Sequence, residues 1–147
     1  MAAAHEDELV EMLIGLFQEI DGLFAAASRR LGLTPQQAQL LCFARHRQPS
    51  SGELAALLHC DKTNITGLVD RLQRRGLLTR RPDPDDRRVT RVHLTAEGEA
   101  LSGEFQRVID TTLTTGFSSW PSTERDDLIR LLSSATSGLR SRPRQAP

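Results

Sequence analysis

Residues 61–95 read DKTNITGLVDRLQRRGLLTRRPDPDDRRVTRVHLT, and the order of signals in this stretch decides the fold. Asp61 has the chemistry of a helix N-cap, and Gly76 that of a stop. Between them Ile65, Leu68, Val69 and Leu72 recur on one helical face. Leu77 to Pro82 reads as a strand, DPDD as a turn, and Val89 to Leu94 as the returning strand, with Thr90, Val92 and Leu94 on one side. The stretch carries nine Lys or Arg against five Asp, a local excess of four positive charges in a chain of zero formal net charge. On the outward face of the helix, Thr63, Gly67, Asp70 and Arg74 oppose the apolar row, and Asn64, Thr66 and Arg71 flank it. Short polar groups near a helix N-terminus allow close approach to base edges, and arginines further along reach phosphate or guanine. Arg87 and Arg88 lie beside the hairpin tip, where a narrow minor groove attracts arginine. Asp70 would repel phosphate; the spacing predicts that it pairs with Arg74 one turn on.

Immediately upstream, Ser50-Ser51-Gly52-Glu53 has the form of a capping box. It opens a short helix expected to bury Leu54, Ala55, Leu57 and Leu58, and His59-Cys60 makes a tight turn into Asp61. Helix, short turn and helix within about 25 residues is helix-turn-helix spacing. Before it, Thr34-Pro35 caps and starts a helix with Ala38, Leu41 and Cys42 inward, failing before Pro49. Arg45 and His46 read as an exposed helix end or as polar groups of a pocket. From Glu8 to about Leu31, Leu9, Met12, Leu13, Leu16, Phe17, Ile20, Leu23 and Phe24 form a long apolar stripe ended by Gly32. An ordinary core helix and a face that meets another subunit account for this stripe equally well.

Downstream, Thr95 is the expected cap of a helix with Leu101, Phe105, Val108, Ile109 and Leu113 on its apolar face. A last helix begins at Ser122 and carries Leu128, Ile129, Leu131, Leu132 and Leu139. The tail, residues 141–147, has nothing apolar to bury and is expected to be disordered. A length of 147 residues fits one domain. With 4% aromatic residues and no Tyr, the core is aliphatic and thin, and an intertwined dimer would supply further burial. Both ends of the chain are acidic around the basic centre, an arrangement that turns one face to a polyanion.

Two cysteines, Cys42 and Cys60, show no CxxC or zinc spacing, and His5, His46, His59 and His93 are scattered, so no metal or other cofactor is expected. No catalytic motif is present and no enzyme is expected. An acidic N-terminus and the lack of a long apolar run point to the cytoplasm and away from a membrane.

With these elements in order, residues 53–101, ELAALLHCDKTNITGLVDRLQRRGLLTRRPDPDDRRVTRVHLTAEGEAL, resemble the MarR family of bacterial winged-helix transcriptional regulators. LVDRLQRRGLLTR and DPDDRR followed by LTAEG carry the likeness most specifically. The resemblance implies a mainly α fold with a small β-hairpin wing. In it a winged helix-turn-helix core, residues 35–95, is flanked by dimerisation helices over residues 8–31 and 96–139, all in a single domain. It implies a homodimer on a pseudo-palindromic double-stranded operator, acting as a repressor and released by a small, often phenolic or aromatic, effector. Asp86 and Arg88 stand where the family has its wing Asp-x-Arg pair. The expected DNA-binding set is Lys62, Thr63, Asn64, Thr66, Arg71, Arg74, Asp86, Arg87 and Arg88. Two positions depart from the family pattern: His59 stands where Gly is usual in the turn, and Gly67 where a longer polar residue is common.

Two other readings compete. Some members sense oxidation through a cysteine, which here would be Cys60 or Cys42, although the first helix, where reactive cysteines usually lie, has none. Winged helices also serve as protein-interaction modules, but their exposed recognition face is then apolar, whereas here it is Thr, Asn, Gly, Asp and Arg.

Overall fold

The computed structural model describes residues 2–141. The elements run α1 (Ala2–Arg30), α2 (Pro35–His46), α3 (Ser51–Leu57), α4 (Lys62–Arg74), β1 (Leu78–Pro82), β2 (Thr90–Leu94), α5 (Ala96–Gly116) and α6 (Ser122–Arg140). The fold is therefore mainly helical with one antiparallel hairpin, as expected. The chain divides into two compact units, Met1–Asp110 and Thr111–Pro147.

In the first unit, local chemistry sets most boundaries. Thr34 and Gln37 form a reciprocal capping box at the start of α2, with Thr34 Oγ1 accepting from the Gln37 N–H at 3.2 Å. Ser50 and Glu53 repeat the device at α3, and Asp61 accepts from the Asn64 N–H at 2.8 Å to open α4. Such a cap stabilises a helix by about 1 kcal/mol. The helix ends also share one device. Gly32, His59 and Gly76 have φ of 67°, 52° and 72°. In each case the next residue's N–H bonds back across the turn, from Leu33 to Ser28, Cys60 to Ala55 and Leu77 to Leu72. His59 thus takes the left-handed position that glycine fills at the other two ends; histidine tolerates it better than most residues.

The core lies where α2, α3 and α4 meet the hairpin. Leu40, Leu41, Leu54, Ile65, Leu72, Leu78, Val69 and Val92 are almost completely buried. All four residues of the predicted apolar row on α4 are in this core. The hairpin pairs Leu78 with Leu94 through Pro82 with Thr90. The Val92 N–H also donates to Pro49 O at 2.9 Å, and Ser50 bridges Arg91, so the segment before α3 fastens to the outer edge of β2. Phe24 and Phe105 meet edge to face at 5.5 Å and tie α1 to α5.

Several expectations need correction. The first helix begins at Ala2, since the acidic segment before Glu8 continues the turns without an apolar stripe. Of the four residues expected buried in α3, only Leu54 is; Leu57 is exposed, and Ala55 and Leu58 are half-buried, because a seven-residue helix presents one side to the core. Cys42 is also only half-buried. Leu40 and Gln37 are buried on α2 without having been expected there.

In the second unit, Phe117 and Trp120 pack edge to face at 5.1 Å. Helix α6 carries no buried residue, and Ile129, Leu131, Leu132 and Leu139 are exposed. The disorder expected over 141–147 falls, beyond Ser141, outside the described residues. No helix among them is long and apolar enough to cross a membrane.

Candidate nucleic-acid interface

Lys62, Thr63, Asn64, Thr66, Arg71 and Arg74 are all exposed on α4, while its apolar row is sunk in the core. The helix therefore shows solvent a polar ridge. Asn64 Nδ2 donates to Asp61 Oδ2 at 3.3 Å, and Thr66 Oγ1 donates to the Lys62 carbonyl at 2.9 Å, so both side chains are oriented before any partner arrives. A Cβ on Gly67 would lie 3.8 Å from Arg71 Nη1, so the Arg71 guanidinium reaches back along the helix over the bare Gly67 backbone.

Asp70 does not hold Arg74. Its Oδ1 takes Arg80 Nη2 at 2.5 Å, and Arg80 Nη1 donates to Gln73 Oε1 at 2.6 Å. Arg80 projects from β1 and offers a bidentate fork to two α4 residues, whereas among the described residues Arg74 bonds only the Asp70 carbonyl, at 3.4 Å. Asp70 thus fastens the wing to α4 and leaves Arg74 outward. Arg75 is also engaged, donating to Gly32 O at 2.8 Å.

At the wing tip Asp86 Oδ1 accepts from the Arg88 N–H at 3.0 Å and from Arg88 Nε at 3.3 Å, with 94% of the Arg88 side chain exposed. The carboxylate fixes the direction of a guanidinium that otherwise stands in water. Arg87 lies in the same turn, exposed.

The wing base turns on a residue not singled out from sequence. Arg91 pairs through Nε with Asp83, and through Nη1 with Gln48 O at 2.8 Å and Glu53 at 3.2 Å. Asp83 also accepts from the Asp85 and Asp86 N–H groups at 2.8 and 3.1 Å. Arg91, followed by these backbone donors, holds the Asp83 carboxyl down at about 2. Glu53 is lowered too, chiefly by the Ser50 N–H it caps. A carboxylate depressed in the folded state stabilises the fold above its unfolded value and loses that contribution as pH falls through its folded value. The wing should therefore loosen between pH 3.8 and about 2. In Asp83→Asn this acid-dependent part of the loosening should vanish, as followed by amide hydrogen exchange at residues 83–91.

A cavity of about 300 Å³ opens between α1, α2, α3 and α5, lined among others by Phe24, Cys42, Phe43, Leu57, Phe105 and Ile109. Burial pushes the Cys42 thiol up, against smaller opposing effects of Ser102 and Arg45. Arg45 and His46 line a different cavity, at the end of α2.

A polar-faced helix seated on a short helix, with an arginine-tipped hairpin beside it, defines a winged helix-turn-helix protein. Residues 33–90 match the family model described as the MarR family. YcgE, an HTH-type transcriptional regulator of Bacillus subtilis, is 32% identical over 112 residues, 72% of this chain and 73% of YcgE. NicR, an HTH-type transcriptional repressor of Pseudomonas putida, is 35% identical over 96 residues, 65% of this chain and 61% of NicR. The crystal structure of CouR from Rhodococcus jostii RHA1 bound to p-coumaroyl-CoA superposes with a TM-score of 0.74 at 27% identity, over 88% of this chain and 92% of CouR. The chain belongs to the MarR family: it is a DNA-binding transcriptional regulator and not an enzyme.

Proposed function

We propose that the chain is a homodimeric repressor, working as one MarR-like domain in a bacterial cytoplasm, that binds a pseudo-palindromic operator and leaves it when a small aromatic ligand binds. The observation that carries the reading is the pairing of a polar, outward α4 face with a wing arginine aimed by Asp86. Thr63, Asn64, Thr66 and Arg71 select bases, while Lys62, Arg74 and Arg87 meet phosphate and Arg88 enters the minor groove. DNase footprinting on the DNA upstream of its own coding region tests this. Two protected half-sites about one helical turn apart are expected; a single unsymmetrical footprint argues against the dimer on its palindrome.

Dimerisation is supported by the apolar residues that α1 and α6 leave in water. Leu9, Met12 and Phe17 on α1 are 59, 60 and 67% exposed. A patch of this kind on a small chain marks an association surface. Leu13→Glu with Phe17→Glu is expected to give a helical monomer in sedimentation equilibrium, since neither side chain belongs to the core. An unchanged dimer would locate the interface elsewhere.

We assign the aromatic ligand to the cavity between α1, α2, α3 and α5, because its phenylalanines and aliphatic walls suit a planar apolar group. The p-coumaroyl-CoA bound by CouR is a relative's ligand and supports only the chemical class. The thiol route is less well supported: burial keeps Cys42 protonated, and a thiol reacts with oxidants as the thiolate. Hydrogen peroxide is expected to leave DNA affinity unchanged. Loss of binding on oxidation, prevented by Cys60→Ser or Cys42→Ser, would put a redox switch in place of the ligand.

A further inference from the structure

A second cavity, of about 440 Å³, lies behind the wing between the end of α2, strand β2 and the start of α5. Its wall brings together Arg45, His46, Arg47, Arg91 and His93 against a single carboxylate, Glu99. The volume is within the usual range for small-ligand sites, about 300–1,000 Å³. Three features make it more than a solvated surface. The Arg45 guanidinium is seated over Gly103 of α5, where an added Cβ would come within 3.4 Å of it, and Glu99 meets it only at 3.6 Å. Arg47 is exposed and makes no ion pair among the described residues. His93 is half-buried, and burial, then Arg81 and Arg91, pushes its pKa down, so it stands as a neutral imidazole able to donate one hydrogen bond. Arg91, also on the wall, is the clamp that joins the wing base at Asp83 to Gln48 and Glu53.

We propose that this cavity binds a small doubly charged anion, a dicarboxylate or a phosphorylated metabolite, through Arg45 and Arg47, and that its occupation is felt at the wing through Arg91. An anion here competes with Asp83 and Glu53 for the Arg91 guanidinium and so changes how firmly the wing is fastened to α3. The site is distinct from the apolar cavity facing Phe24 and Phe105, and it takes the opposite chemistry. Only the effect on DNA rests on the proposed function; binding of the anion does not.

Calorimetric titration of the full chain, without DNA, with succinate and with inorganic phosphate at constant ionic strength tests the site. Saturable binding of one anion per chain is expected, weakened about tenfold by Arg47→Gln and by Arg45→Gln. Arg88→Gln, at the wing tip outside the cavity, should leave it unchanged. Heat that does not saturate, or binding indifferent to Arg45 and Arg47, overturns the proposal. So does an Arg47→Gln variant that loses DNA affinity while the wild type takes up neither anion, which would assign these cations to DNA phosphate. Given anion binding, DNA affinity should shift with the anion in the wild type and not in Arg91→Gln. An anion that binds without moving DNA affinity, in a protein that does bind DNA, disproves the link through the wing.

Discussion

Gly98→Ala is expected to destabilise the protein by about 3 kcal/mol or more. Gly98 is on the first turn of α5, and a Cβ there would lie 1.9 Å from the Leu77 carbonyl oxygen and 2.9 Å from its carbon. Both atoms are backbone, so no rotamer change relieves the overlap. The same carbonyl accepts the Thr95 N–H at 3.1 Å, while Thr95 Oγ1 donates to Gly76 O at 2.6 Å and accepts from the Gly98 N–H at 3.1 Å. Thr95 and Gly98 therefore form one joint binding the end of α4, the start of the wing and the start of α5. Making room for a methyl group means opening that joint. Thermal denaturation followed by circular dichroism should show a fall of about 6–12 °C. Gly67→Ala is the control: its Cβ meets only the Arg71 guanidinium at 3.8 Å, and removing a mid-helix glycine stabilises by up to about 1 kcal/mol. Equal stability of Gly98→Ala and wild type would mean that α5 does not approach Leu77 this closely.

Arg88→Ala is expected to act on binding rather than on folding. The side chain is almost wholly in water and its ion pair with Asp86 is local, so its loss should leave the fold unchanged. Its loss should cost all DNA sequences about 1–3 kcal/mol and reduce the salt dependence of binding by the share of one phosphate-region cation. Asn64→Ala should instead relax preference at one position in each half-site while leaving binding to unrelated DNA nearly unchanged. Asp86→Asn separates aim from charge. If the carboxylate serves to point the guanidinium, affinity should fall although a negative charge has been removed from the wing. A rise in affinity would mean that Asp86 acts only as a repulsive charge.

The legible parts of this chain were those written in short-range chemistry. Thr34-Pro35, Ser50 with Glu53, Asp61 and Gly76 each state a helix boundary within four residues, and α4 shows its buried face by period alone. His59 was readable from its surroundings as part of a tight turn, and its left-handed backbone only through the family resemblance, in which Gly usually fills that position. What sequence reasoning missed depends on which distant groups meet. Asp70 had a cation one turn away in Arg74, yet Arg80, ten residues on in β1, has the better geometry. Arg91 sat in a region crowded with acids and arginines, and only the hairpin register brings it to Asp83 and, with the pre-α3 segment, to Glu53. Gly98 resembled an unremarkable residue in a capping sequence, since the carbonyl it must clear is 21 positions earlier. Leu57 read as core because apolar residues on a short helix usually are, and it instead faces a cavity.

On the proposed function the α4 face and the wing tip read DNA, and this is decided by fluorescence anisotropy with a duplex from the region upstream of the gene and a scrambled duplex of equal length, each at two salt concentrations. Binding to the upstream duplex should be at least about a thousandfold tighter than to the scrambled one. Both affinities should fall steeply with salt, and Arg88→Ala should weaken both. Equal, weak affinity for upstream and scrambled duplexes across the whole upstream region, indifferent to Arg88→Ala, would mean that these two surfaces do not read DNA.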